Sequence, residues 1–188
     1  DNTVFYYLKA LDLNLQENLK DSTIFAITNL NLGDEYLQVK QPDSAMIYLK
    51  RSEPIFKALE FKNGIAYNQG NIGIAYALQG KHVLAEQNMN AASIVHREFG
   101  DNYPVCVYLL FMADIYVQKN DITSALGFAH ESLKMAQEKN LKQQISDANL
   151  KLAELYELQG NPRRSLKYYK DHITYRDSIH NLDNVQQM

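Results

Sequence analysis

The chain has 188 residues, of which 46% are hydrophobic and 22% charged, and its formal net charge at pH 7 is -3. This composition is typical of a folded globular protein and argues against intrinsic disorder. It also argues against nucleic-acid binding by this segment, because nucleic-acid-binding proteins concentrate Lys and Arg on one face. No apolar run approaches the ~20 residues of a membrane-spanning helix, so a membrane span is expected only outside this segment.

The ends of the chain and its single cysteine leave the compartment open. The chain begins without Met, ends at "NVQQM" within a helical pattern, and lacks the basic start and cleavage site of a signal peptide. We therefore expect a piece of a longer protein. Because Cys106 is the single cysteine, no internal disulfide is predicted. A periplasmic sensor region and a cytoplasmic protein both fit.

The first predicted element is a helix over residues 2–20. Val4, Leu8, Leu11, Leu15 and Leu19 recur there at helical spacing. Because a repeat pattern begins directly after it, we interpret this helix as the second helix of a truncated unit.

Four segments that follow align without a gap: "NLGDEYLQVKQPDSA", "NIGIAYALQGKHVLA", "FMADIYVQKNDITSA" and "KLAELYELQGNPRRS". Corresponding residues are 40 positions apart, which indicates an internal repeat. Each copy has a small residue, a tyrosine three positions later, and a second small residue nine positions after the tyrosine. The recurring residues are Gly33, Tyr36, Ala45, Gly73, Tyr76, Ala85, Ala113, Tyr116, Ala125, Ala153, Tyr156 and Ser165.

This spacing predicts that each repeat is a helical hairpin. A small residue three positions before an aromatic one lies on the same helix face, where a second helix can approach closely while the ring fills the adjacent space. Gly80, Asn120 and Gly160 suit the left-handed conformation that ends a helix. The first repeat has Lys40 at this position and Pro42 after it, which leaves the geometry of its turn open.

The predicted repeats span residues 24–63, 64–103, 104–141 and 142–180, and residues 181–188 begin a C-terminal extension. First helices are predicted at 23–40, 64–79, 104–119 and 142–159. Second helices are predicted at 43–60, 82–99, 122–139 and 162–180. The prediction is therefore an all-α single-domain solenoid of antiparallel helix pairs over residues 1–188.

The small–Tyr–small pattern resembles that of the tetratricopeptide repeat family over most of residues 24–180. The resemblance implies a right-handed superhelix that binds proteins or peptides. This unit is longer than the family's usual ~34 residues and matches its long-repeat type. It also lacks the family's late proline and the large aromatic residue near the start of each unit. Asn29, Gln69, Leu109 and Asn149 take the place of that residue. A HEAT-type solenoid also has a period near 40, but it does not require the small-to-Tyr spacing.

The sequence shows no recognisable catalytic or metal-binding motif. The five histidines include no pair at the three- or four-residue spacing that would place two metal ligands on one helix face. Cys106 lies in the apolar stretch "VCVYLLF" and is expected to be a buried, inert thiol. We therefore predict no catalytic residue, no metal, no cofactor and no enzymatic activity.

The family resemblance implies that the first helices line a concave binding face. The partner-binding residues it implies are Ile27, Leu30, Asp34, Tyr67, Asn71, Ile74, Val107, Leu110, Asp114, Asp147, Leu150 and Glu154. Some family members grip an acidic peptide terminus with Lys and Asn side chains on this face. Here Asn31 and Asn71 match that clamp, while its lysines are expected to be absent.

The predicted face is apolar and also carries a row of acidic residues. Its expected ligand is therefore a protein or peptide with apolar anchors and at least one basic group. An alternative is that Leu30, Leu110 and Leu150 turn inward as core, because helix phase alone cannot separate neighbouring faces.

The tail "YRDSIHNLDNVQQM" resembles the segment that closes tetratricopeptide sensor regions in Bacteroidetes regulators. The matching residues are Tyr175, Asp177, Ser178, Ile179, Asn181, Asn184 and Val185. The resemblance implies the input module of a bacterial signal-transduction protein, such as a two-component regulator with a histidine kinase or DNA-binding output. Ligand binding would then change curvature or homodimerisation. Two alternatives are a structural adaptor for constitutive oligomers and an enzyme whose site lies outside this segment.

Overall fold

The computed structural model describes residues 2–16 and 22–186, with side chains for 3–13 and 22–179. Within these ranges it contains nine α-helices and no strand. They are α1 (Asn2–Gln16), α2 (Ser22–Gln38), α3 (Pro42–Ala58), α4 (Lys62–Leu78), α5 (His82–Glu98), α6 (Asn102–Gln118), α7 (Ile122–Glu138), α8 (Lys142–Leu158) and α9 (Pro162–Gln186). The predicted all-α fold of helix pairs is confirmed.

The predicted starts of α2 to α9 lie within two residues of the observed ones. The differences are at the chain ends. The predicted first helix extends to residue 20, but residues 17–21, which include Leu19, lie outside the described residues. The predicted end of the last helix is residue 180, whereas α9 continues to Gln186.

Left-handed residues separate the helices at intervals of 20 positions. They are Lys40 (φ 56°), Glu60 (49°), Gly80 (72°), Gly100 (71°), Asn120 (60°), Asn140 (54°) and Gly160 (74°). At the first of them, Lys40 N–H donates to the Leu37 carbonyl at 2.9 Å and Gln41 N–H to the Tyr36 carbonyl at 2.8 Å. This is the Schellman pattern of helix termination. The first helix of the first repeat therefore ends as the first helices of the other repeats do, although a lysine occupies the position of Gly80 and Gly160.

Close helix contacts explain the recurring small residues. A Cβ added to Gly33 would lie 2.6 Å from Leu49 Cδ2, and one added to Gly73 would lie 2.6 Å from Met89 Cγ. The second helices contribute Ala45 and Ala85, which are both fully buried. Because a Cβ at these positions would displace the Leu49 or Met89 side chain, glycine allows α2 to lie this close to α3, and α4 this close to α5.

The contacts divide the chain into two compact units, with the boundary between Phe99 and Gly100. In the first unit, α2 packs on α1, α3 and α4, and α4 packs on α3 and α5. In the second unit, α7 packs between α6 and α8, α8 packs on α9, and α6 also contacts α8. Its core combines small α7 residues with larger α8 residues: Ala125, Ala129, Ala136, Leu152 and Leu155. The continuation of one solenoid through all 188 residues stays a prediction.

None of the described helices has the length and apolarity required to cross a membrane.

Candidate functional site

The second unit brings its predicted binding residues to the exposed side of two neighbouring first helices. On α6 and α8 the exposed and half-buried positions follow spacings of three and four residues, as one helix face requires. Because α6 contacts α8, the two stripes are adjacent. The predicted residues on this surface are Val107, Leu110, Asp114, Asp147, Leu150 and Glu154. We call these six residues the α6–α8 face.

A lysine that was not among the predicted site residues, Lys151, contacts two residues of the α6–α8 face. Lys151 Nζ donates hydrogen bonds of 2.8 Å to Asp114 Oδ1 and 2.8 Å to Glu154 Oε2. Burial disfavours the charged ammonium, but the hydrogen bonds and charges of the two carboxylates outweigh it and raise the pKa of Lys151. The face therefore includes a half-buried cation that the predicted set of site residues does not contain. Two of the predicted acidic groups are already paired with a cation.

The signal for this lysine was present in the repeat alignment. Lys151 occupies the position two before the small residue, where the first two repeats have Asn31 and Asn71. The alignment did not predict its partner, because Asp114 belongs to the preceding repeat and is 37 residues away.

The acidic side chain of Asp147 differs from the paired ones in its surroundings. Burial raises the pKa of Asp147, while a hydrogen bond from Gln143 and the nearby His172 act in the opposite direction. Gln143 Nε2 donates to Asp147 Oδ1 at 2.9 Å. A carboxylate whose charge is poorly solvated is a favourable position for a cationic group of a ligand.

The first unit presents the predicted residues of α2 but buries most of those on α4. Ile27 is 39% exposed. By contrast, Asn71 and Ile74 are 7% and 4% exposed, and the Tyr67 ring packs edge-on against His96 of α5 at 4.5 Å between centroids. Because α4 packs against α2, α3 and α5, Asn71 and Ile74 offer a ligand almost no surface.

Asp34 on α2 resembles Asp147. It is half-buried, and burial raises its pKa, partly offset by a hydrogen bond from Gln38. Gln38 Nε2 donates to Asp34 Oδ2 at 3.1 Å. In each unit, therefore, one half-buried carboxylate on a first helix is partnered by a neutral amide.

The sequence pattern could assign Leu30, Leu110 and Leu150 either to the binding groove or to the core. All three are half-buried. Leu110 packs against the core of the second unit, and Leu150 lines a surface cavity together with Glu154. Leu30 is half-buried on α2. Each of these side chains therefore contributes to helix packing and retains surface that a ligand could contact.

The recurring tyrosines pack against the second helices. Tyr36 stacks on Tyr48 with ring centroids 5.4 Å apart, and Tyr156 stacks on Tyr168, also at 5.4 Å. The partner in each pair lies 12 residues further along the chain, so the spacing of the two rings repeats with the helix pairs. His130 Nε2 is also hydrogen-bonded to the Tyr156 hydroxyl at 3.0 Å. These rings join the two helices of a pair.

Cys106 lies in the interior of the second unit, as the sequence predicts. It is 0% exposed, and the Ser132 hydroxyl donates to its carbonyl oxygen at 3.0 Å. The bond connects α6 to α7, so this position holds a structural contact.

No protein-family model matches this chain, and a search of curated proteins found no significant match to it. Inference about its function therefore depends on the repeat pattern and on the surfaces described above.

Proposed function

We propose that this chain is a protein- or peptide-binding module of the long tetratricopeptide-repeat type, acting as the input region of a bacterial signal-transduction protein. The 40-residue helical hairpin with its small–Tyr–small pattern supports the family assignment. Stacked helix pairs characteristically offer an extended surface for binding rather than a catalytic centre.

The observation that carries the binding proposal is the composition of the α6–α8 face. Val107, Leu110 and Leu150 are half-buried apolar side chains, and Asp147 lies on the same face with a poorly solvated carboxylate. Burial of the leucines by a ligand would remove apolar area from water, at about 25 cal/mol per Å². Asp147 would accept a charge-assisted hydrogen bond from a Lys or Arg of the ligand.

Lys151 refines the expected ligand chemistry. Because it is already ion-paired with both Asp114 and Glu154, these two carboxylates are weaker candidates for binding a basic ligand. Asp147 in the second unit and Asp34 in the first are the better candidates. We infer a ligand with apolar anchors and a basic group placed to reach one of them.

Selection of phage-displayed random peptides on the purified protein tests the binding proposal. Selected peptides should combine apolar residues with Lys or Arg, and Asp147→Asn should weaken their binding about tenfold, the effect of losing about 1.4 kcal/mol. The matched control is Asp43→Asn, which changes an exposed carboxylate that accepts a hydrogen bond from Gln79. Selected peptides without basic residues, or equal effects of both variants, would contradict the ligand assignment.

The signalling role draws support from the tail. α9 has 25 residues, whereas α2 to α8 have 17 each, and the residues that resemble the closing segment of sensor regions lie in α9. A helix that continues past its pair could transmit a change in packing to a following domain. The coding sequence after Met188 tests this role, since kinase or DNA-binding motifs are expected there and a stop codon would contradict it.

A constitutive assembly adaptor is the alternative. Sedimentation of the purified protein separates the two, because an adaptor self-associates without any peptide ligand, whereas the proposed module responds to one.

A further inference from the structure

Basic and aromatic side chains cluster where α7 and α9 both pack on α8. Tyr156 of α8 stacks on Tyr168 of α9, and the His130 ring of α7 lies edge-on to both tyrosines, at 6.1 Å and 5.9 Å between centroids. Two cations of α9 complete the group. The Arg164 guanidinium lies 5.3 Å from the centre of the Tyr156 ring, and Lys167 Nζ lies 5.7 Å from the centre of the Tyr168 ring. We call these five residues the Tyr156 cluster.

Two of the basic groups converge on one atom of the Tyr156 cluster. The Tyr156 hydroxyl oxygen is 3.0 Å from His130 Nε2, and it accepts a 3.5 Å hydrogen bond from Arg164 Nη1. Tyr156 itself is buried, whereas Arg164 and Lys167 are exposed. The cluster therefore has an aromatic floor and a cationic rim that is open to solvent.

The cations of this rim have no counterion in the described part of the chain. Neither Arg164 nor Lys167 forms an ion pair with a described carboxylate, whereas Lys151 of the same unit has two carboxylate partners. Burial raises the pKa of Tyr168, with a smaller contribution from the charge of Asp171. That carboxylate therefore acts on the cluster from a distance and leaves both cations unpaired.

Repulsion between the basic groups is visible at the histidine. Burial lowers the pKa of His130, and the charge of Arg164 lowers it further. The protonated ring is therefore disfavoured beside the guanidinium. An anion bound between the two groups would replace this repulsion with attraction to both.

The first unit places basic residues around the corresponding tyrosine. Two repeats before His130 and Tyr156, the chain has Lys50 and Tyr76. Lys81 Nζ lies 5.6 Å from the centre of the Tyr76 ring. These three residues line a surface cavity of about 350 Å³, together with Asp43. Cations thus recur beside this tyrosine, and the Tyr156 cluster is the copy without a carboxylate among its members.

We propose that the Tyr156 cluster binds an oxyanion, the phosphate or carboxylate group of an acidic ligand, between Arg164, Lys167 and the edge of His130. The planar guanidinium can donate two parallel hydrogen bonds to such a group, and the lysine adds a second positive charge. The site shares no residue with the α6–α8 face, so this binding activity is additional to the proposed function.

NMR titration of the histidine rings in the full chain tests the site. Sodium sulfate and sodium oxalate are the probes, because both remain doubly charged from about pH 5 to pH 8, where histidines titrate. Sodium chloride at equal ionic strength is the reference. A saturating probe should raise the pKa of His130 by about half a pH unit, the result of an about threefold preference for the protonated ring. His172, which is hydrogen-bonded to Ser146 at 2.9 Å, is the internal control and should respond equally to probe and chloride.

A pair of neighbouring arginines supplies matched variants. Arg164→Gln should raise the starting pKa of His130, because the repelling charge is removed, and should abolish the further rise caused by sulfate. The control is Arg163→Gln, which changes an exposed arginine on a different side of α9 and should preserve that rise. Circular dichroism verifies that both variants are folded.

The outcomes separate the two ligand chemistries from failure of the proposal. A stronger response to sulfate would assign a phosphate-bearing ligand, and a stronger response to oxalate a carboxylate-bearing one. An equal response of His130 to both probes and to chloride, or equal losses from Arg164→Gln and Arg163→Gln, would overturn the site. Peptides selected on the α6–α8 face depend on Asp147 rather than on Arg164, so failure here leaves the proposed function standing.

Discussion

At the scale of single residues, the effect on stability of replacing a glycine with alanine depends on the space around that glycine. Gly73 lies against α5, where an added Cβ would be 2.6 Å from Met89 Cγ and 3.0 Å from the Met89 backbone nitrogen. Gly127 in α7 has no atom of the surroundings within 4 Å of such a Cβ. The same substitution should therefore change stability in opposite directions at the two positions.

Gly73→Ala is expected to lower the free energy of unfolding by about 1–3 kcal/mol, because the methyl group forces α4 and α5 apart. Gly127→Ala is expected to raise it by about 0.5–1 kcal/mol through helix propensity. Urea unfolding followed by circular dichroism measures both. A stabilising Gly73→Ala would mean that the close contact between the helices is absent.

Residues other than glycine that adopt the left-handed conformation give a second prediction. Glu60 has φ 49°, a conformation that costs a residue with a Cβ about 1–2 kcal/mol. Glu60→Gly should therefore raise the free energy of unfolding by about 0.5–1 kcal/mol, after the larger chain entropy of unfolded glycine is subtracted.

The control for this prediction is Glu98→Gly in the last turn of α5, where the backbone is helical. It removes the same side chain and should destabilise the protein by about 0.5–1 kcal/mol. Thermal or urea unfolding compares the two variants. If both destabilise equally, the left-handed conformation at Glu60 carries no strain.

The sequence predicted the left-handed conformation at some of these helix ends and not at others, for a physical reason. Gly80, Asn120 and Gly160 prefer or tolerate the left-handed region, so their own chemistry indicates a helix end. Lys40 and Glu60 have no such preference. They adopt the conformation because the Schellman hydrogen bonds and the 20-residue register require it.

At the scale of helices, the contact between α6 and α8 includes an ion pair across two repeats. Lys151, 21% exposed at its side chain, bridges Asp114 and Glu154. Lys151→Ala should destabilise the protein by about 1 kcal/mol, because two neighbouring carboxylates lose their shared cation.

The salt dependence and a double-mutant cycle test whether the charge of Lys151 causes this loss of stability. Screening weakens partly exposed ion pairs, so the loss on Lys151→Ala should shrink in 1 M NaCl. Combined with Asp114→Asn, it should be smaller than the sum of the two single losses. A loss that is unchanged by salt and strictly additive would indicate that the aliphatic part of the lysine, rather than its charge, stabilises the contact.

The binding residues implied by the family resemblance lie on the exposed side of α6 and α8, but those on α4 are mostly buried. The α6 sequence has Asp114, and the α8 sequence Asp147, as polar markers of one face. In α4, "NGIAYNQGNIGIAYAL" mixes small, apolar and amide residues all around the helix, so no direction is visibly exposed. Contacts with three other helices decide the burial of Asn71 and Ile74, and a single helix pattern cannot predict them.

At the scale of the whole molecule, the two half-buried carboxylates make stability depend on pH. Burial raises the pKa of both Asp34 and Asp147 above the ordinary value of 3.8. A carboxyl group with a raised pKa binds its proton more tightly in the folded state than in the unfolded state, so protonation stabilises the fold. This stabilisation is fully present below the unfolded pKa and is lost as pH rises through the folded pKa. Near neutral pH, both charges therefore oppose folding.

The double variant Asp34→Asn and Asp147→Asn should accordingly unfold at a higher urea concentration than the wild type at pH 7. The advantage should disappear below about pH 3.8. The two positions lie in separate compact units and contact different residues, so the single gains should add. If the carboxylates are retained for a basic ligand, the stabilised variant should bind selected peptides more weakly. Urea titrations from pH 3 to pH 7, with anisotropy at pH 7, measure both properties. A variant that gains stability without losing binding would separate these carboxylates from the binding surface.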